Sequence, residues 1–97
     1  MKAPILRPAA AADVEGAYRW YEDQRAGLGE QFLAAVEVGL EMIAAHPMGA
    51  PAVHRNTRRL LLRRFPYCVF YHSVGEDIVV VACLHAKRHP RVWRGRR

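Results

Sequence analysis

At 97 residues the chain holds one domain, residues 1–97, with room to bury roughly two-thirds of its unfolded surface and none for a second core. Residues 1–50 carry 4 basic and 7 acidic groups, whereas residues 51–97 carry 11 basic and 2 acidic ones, so the net charge of +6 is concentrated in the second half. Arg outnumbers Lys 13 to 2, which suits bidentate contact with phosphate or carboxylate, and the absence of a long apolar run excludes a membrane span.

Lys2 to Arg7 is a short apolar segment that adds an edge strand, because Pro4 cannot donate to an inner ladder. Helical periodicity begins after Pro8: Val14, Ala17, Tyr18 and Tyr21 share one stripe, with charged residues around it. Gly27 and Gly29 interrupt the period, which Phe32, Leu33, Val36, Leu40 and Ile43 resume until His46-Pro47. Residues 9–25 and 28–46 are therefore expected to form an antiparallel helical hairpin. Met48 to Asn56 reads as a loop. Three strand-like runs follow, Arg58 to Arg64, Tyr67 to Val74 and Asp77 to His85, broken by Phe65-Pro66 and Gly75-Glu76. The expected fold is α+β, in the order β-α-α-β-β-β, with the hairpin packed on one face of an antiparallel sheet.

The last strand is apolar on both faces, yet two helices cover one face only. Either arginine stems or a partner must shield the other. An even loop at Gly75-Glu76 makes paired residues sum to 151, which sets Cys68 opposite Cys83. With no signal peptide apparent, these read as buried thiols in a cytoplasmic protein. Trp93 stands in the basic tail RVWRGRR, where folding back onto the sheet is the default for a lone Trp, beside stacking on a base or inserting into a partner. Trp20 lies next to the buried stripe of Tyr18 and Tyr21. Glu15, Glu22, Glu30, Glu37 and Glu41 read as solvated helix faces. His85 and His89 are four apart in a non-helical segment without a carboxylate, so neither a metal nor a cofactor is expected.

The ordered pieces A-x-x-D-V-E-x-A-x-x-W-Y at Ala10 to Tyr21, G-L-G-E-x-F-L at Gly27 to Leu33, His46-Pro47, R-R-L-L-L-R-R-F-P-Y-x-V-F-Y at Arg58 to Tyr71 and V-A-x-x-H-x-x-R-x-P at Val81 to Pro90 resemble the RelE/ParE superfamily. That superfamily comprises the toxins of bacterial type II toxin–antitoxin modules. The resemblance implies a growth-inhibiting toxin of a plasmid-stabilisation type, neutralised by a cognate antitoxin, as a homodimer or as a heterotetramer with that antitoxin. It also implies a target: DNA gyrase in the ParE-like branch, the ribosome and its messenger RNA in the RelE-like one. A RelE-like enzyme is a metal-independent endoribonuclease, and Arg58, Arg63, His85 and Arg88 are the residues expected to carry its chemistry. A ParE-like toxin uses binding contacts instead, expected at Arg58, Arg59, Arg63, Arg64, Arg88, Arg91 and Trp93. With no Tyr after Tyr71 and no lysine cluster beyond Lys87, the acid–base set is incomplete, which favours the ParE-like branch. A non-toxic nucleic-acid-binding remnant is the third reading. The antitoxin segment is expected on the sheet face away from the helices, touching Arg58, Arg63 or Arg64.

Overall fold

The computed structural model describes residues 2–97. Its elements are β1 (Ile5–Leu6), α1 (Pro8–Gln24), α2 (Leu28–Ala45), β2 (Ala52–His54), β3 (Thr57–Leu61), β4 (Tyr67–Val74), β5 (Asp77–His85) and the single turn α3 (Arg91–Arg94). The five strands lie in the order β1-β5-β4-β3-β2. The fold is the α+β arrangement expected, with the meander antiparallel and β1 added to β5 in parallel, so that the sheet is mixed. The short β2 occupies part of the segment Met48 to Asn56 read as a loop. Three residues are too few to show a period, and what makes them a strand is the two-residue reversal Arg55-Asn56, which sets His54 opposite Thr57.

Both helices are held by what the loop between them lacks. Gly27 takes φ +88°, and the Glu22 carboxylate accepts hydrogen bonds from the backbone N–H groups of Gly27 and Gly29 at 3.0 and 2.9 Å. These are among the orphan donors of the α2 N-terminus, so a residue read as part of a solvated face caps the neighbouring helix. A Cβ on Gly29 would come within 2.8 Å of the Tyr18 ring, so only glycine leaves room for that ring against the start of α2. Ala10, Ala17 and Tyr21 of α1 and Phe32, Val36 and Ile43 of α2 are buried against Val69, Tyr71, Val80 and Cys83.

The pairing of β4 with β5 changes register midway. Val74↔Asp77 through Tyr71↔Val80 follow the expected sum, but Phe70 pairs Ala82 and Tyr67 pairs His85, because Val81 is an extra residue on β5. Cys68 therefore faces Leu84, and Cys83 faces Val69. The expected cross-strand cysteine pair does not form, and the two thiols lie in clusters on opposite faces of the sheet. The same bulge turns Val81 and Ala82 both toward the face without α1 and α2. There Cys68, Phe70, Val79, Val81, Ala82 and Leu84 are covered by the chain's own C-terminal segment: Trp93 is 6 % exposed and stacks on Phe70 with ring centroids 4.5 Å apart. Neither arginine stems nor a partner is needed to close that face.

The C-terminal segment is tied down where β1 stops short. Beyond Val80 the edge of β5 lacks a strand, and the Asp13 carboxylate of α1 accepts from the Cys83 N–H at 3.0 Å. Arg96 Nη1 donates to the same carboxylate at 2.5 Å and to the Val81 carbonyl at 3.2 Å. One half-buried ion pair thus completes the sheet edge and anchors the tail.

Candidate functional site

Two surface features carry the residues of interest. The first is an apolar groove of about 340 Å³ between α2 and β3. Ala34, Val38 and Met42 recur every four residues along α2 and form one wall. Leu60, Leu61, Leu62 and Phe65 form the other. Val38, Met42 and Leu61 are 45 %, 39 % and 58 % exposed, an unusual grouping of large apolar side chains on so small a surface. The groove exists because α1 lies along β5 while α2 only skirts β3, and because β2 pairs no further than Arg58, with a last bond from Arg59 N–H to the Pro51 carbonyl. The edge of β3 beyond Arg59 is consequently open. Arg63 and Arg64 close one end of the groove; Arg64 sits at φ +71° and donates to Gln31 Oε1 at 3.0 Å.

The second feature is a cleft lined by Asp13, Trp20, Tyr67, Cys83, His85 and Arg88, where α1 meets the end of β5. Tyr67 and His85 are cross-strand partners with ring centroids 5.6 Å apart, and Trp20, 57 % exposed, stands on the rim. His85 Nδ1 accepts the Lys87 backbone N–H at 3.1 Å, so in the neutral ring the proton sits on Nε2. Burial pushes the Tyr67 hydroxyl above its ordinary pKa, while the charge of Arg88 pulls it back. Burial, reinforced by Asp13, pushes the Cys83 thiol up to about 12, which rules it out as a nucleophile near neutral pH.

The residues singled out from sequence are dispersed among these features. His85 and Arg88 come together; Arg58 and Arg63 do not join them. Arg58 is a strut, its Nη1 donating to the carbonyls of Ala50 at 2.7 Å and Met48 at 3.3 Å to hold the segment after α2. Arg63 and Arg64 belong to the groove. Arg59 projects from the opposite face of β3, and Arg91 is exposed at the start of α3. Trp93 is a core residue, so its ring is not available to a target. An antitoxin segment crossing the face away from the helices would find it filled by Trp93, and of the arginines expected to meet it there, Arg58 braces the segment after α2 while Arg63 and Arg64 line the groove beside α2. Tyr67 and the apolar trio Val38, Met42 and Leu61 were missed, and Trp20, read with the buried stripe, is instead exposed. Tyr67 escapes because a continuous register sets it opposite Leu84; only the bulge at Val81 delivers it to His85.

Chemically the cleft offers an imidazole, a phenol and a single guanidinium. Transfer of a proton is within its means, but stabilising a pentavalent phosphoryl charge calls for more cations than Arg88 alone. Among the described residues no group of three or more His, Cys, Asp or Glu side chains is placed to hold a metal ion, and no helix is long and apolar enough to cross a membrane.

No curated protein sequence matches the chain. A solved structure described as the chromosomal ParDE TA system from P. aeruginosa is similar in fold, with a TM-score of 0.66 and 23 % identity over 88 % of this chain and 96 % of that one. The family model described as ParE toxin of type II toxin–antitoxin system, parDE, matches residues 5–90, which include both helices, the whole meander and His85 and Arg88. The chain belongs to the ParE toxin family of type II toxin–antitoxin systems.

Proposed function

We propose that this ParE-type toxin acts by binding DNA gyrase and is neutralised by an antitoxin whose amphipathic segment lies in the groove between α2 and β3. The groove carries this reading. Its floor is apolar, its β3 edge is open to an added strand, and Arg63 and Arg64 at one end complement acidic residues in the occupant. Leu61→Glu places a charge where an apolar side chain would be buried by the partner, and the expected loss of antitoxin affinity is at least about tenfold. Unchanged affinity in a titration of purified toxin with the antitoxin would overturn the assignment. The target is tested separately, by supercoiling assays with purified gyrase.

A second reading, cleavage of messenger RNA, is favoured by one observation: Tyr67 and His85 stand together beside Arg88. In that case His85→Ala lowers cleavage by on the order of 10²–10⁴ and removes toxicity with it. Toxicity that persists in His85→Ala, with intact messenger RNA, excludes it.

A further inference from the structure

The second half of the chain is basic, but its arginines are not spread evenly. Three of them, Arg55, Arg94 and Arg97, meet Arg7 from the first half on one hollow of about 290 Å³, which His54, His72 and the Asp13-paired Arg96 also line. They come from three separate places in the chain: the end of β1, the β2–β3 reversal and the C-terminal segment. No acidic side chain lines the hollow among the described residues, and none of these four arginines is ion-paired there. Like charges gathered in this way oppose folding, so their convergence asks for an anion.

The cations are also positioned. Arg55 takes φ +53°, a left-handed conformation in which glycine or asparagine is easier, and sits at the tip of the reversal. The Arg94 guanidinium lies 5.9 Å from the centroid of the Trp93 ring, itself stacked on Phe70. Arg96, bound to Asp13 and the Val81 carbonyl, fixes the backbone between Arg94 and Arg97.

We infer that this hollow is a phosphate site that holds the sugar–phosphate backbone of a nucleic acid strand, independently of the antitoxin groove. Guanidinium forks match phosphate oxygens in pairs, and four of them suit successive phosphodiesters of fixed spacing better than carboxylates on flexible side chains. No Phe, Tyr or Trp lines the hollow, so the contact rests chiefly on the phosphates and is indifferent to sequence. His72 fits the same picture: burial, and then the nearby charge of Arg7, lower its pKa, which leaves a neutral imidazole able to donate one hydrogen bond.

Fluorescence anisotropy of the intact chain with labelled single-stranded oligonucleotides, repeated over a range of salt, tests this. Four neutralised phosphates give a slope of log K against log salt of roughly −3 for a single strand. The double variant Arg55→Gln, Arg97→Gln makes the slope shallower by roughly 1.4 and weakens every sequence alike. Arg25→Gln, at the end of α1 and outside the hollow, leaves the slope as it was. A native slope in the double variant, binding that depends on base sequence, or polyglutamate competing as well as an oligonucleotide of equal charge would each overturn the inference. The double variant keeps its antitoxin affinity, whereas Leu61→Glu loses it and keeps the oligonucleotide, so the two sites fail separately.

Discussion

The sheet is apolar on both faces, and the two faces are finished differently. On one, Trp93 and the segment that carries it lie over Phe70 and its neighbours and are locked by the Asp13–Arg96 pair. On the other, α1 and α2 cover β5 and β4 but stop before β3, leaving Val38 and Met42 in contact with water; Leu61, opposite Cys68 on the Trp93 side, is exposed at the β3 edge that borders the same groove. The difference separates two kinds of exposed hydrophobe. Trp93, for which folding back was the default reading and contact with a target the ParE-like alternative, is structural. Leu61 looked like one more strand residue, yet it is 58 % exposed at the rim of the groove. Charge around an aromatic residue is therefore a poor guide here, and the reach of the covering helices is the better one.

If the closed face is part of the core, emptying it must cost as much as damaging the helix side. Trp93→Ala is expected to lower stability by about 3–5 kcal/mol, through lost stacking on Phe70 and a cavity over β4 and β5. Val36→Asp, which puts an unpaired charge beneath the helices, should cost a similar several kcal/mol. Denaturant midpoints of the two variants check this directly. A Trp93→Ala midpoint equal to that of the native chain would return the C-terminal segment to the status of a loose tail.

The thiols sharpen the comparison from within the sheet. Cys83 lies on the helix side and its pKa is raised from 9.0 to about 12, chiefly by burial. The folded state holds the proton more tightly than the unfolded one, so the stabilisation is present in full below pH 9 and fades as pH rises from 9 toward 12. Roughly 2–3 kcal/mol should be lost by about pH 11. Urea titrations across that range, compared with Cys83→Ala, measure the difference; an equal alkaline loss in both would assign it to other groups.

How much of this was legible in sequence follows from the length of each signal. The helices declared themselves because Tyr21, Phe32, Val36 and Ile43 repeat over several turns, and the meander did so because Pro66 and Gly75 punctuate long β-branched runs. β2 has three residues and no period. The bulge at Val81 has no signature at all, since Val79 to Leu84 is apolar throughout and any register would bury it. That one uncounted residue decided which side chain faces His85 and separated Cys68 from Cys83. The candidate site suffered most, because proximity among Arg58, Arg63, His85 and Arg88 depends on tertiary reach. Arg58 was spent on the carbonyls of Met48 and Ala50, a use that no spacing announces.

The smallest expected effect is the most discriminating. Leu61 is 58 % exposed on an edge whose ladder has already ended, so Leu61→Ser removes little buried area and breaks no hydrogen bond seen in the isolated chain. Its stability should stay within about 0.5 kcal/mol of the native value. The same change should weaken the antitoxin complex by several-fold, because an apolar contact covered only in the complex contributes there and nowhere else. Thermal unfolding of the free toxin and calorimetric titration with the antitoxin give the two numbers. A large loss in the free protein would mean that Leu61 is core after all, with the groove closed in solution. No loss in either would mean that the occupant lies elsewhere. Only the split result, stable alone and weakened in the complex, places Leu61 on the side of the comparison to which the open β3 edge assigns it.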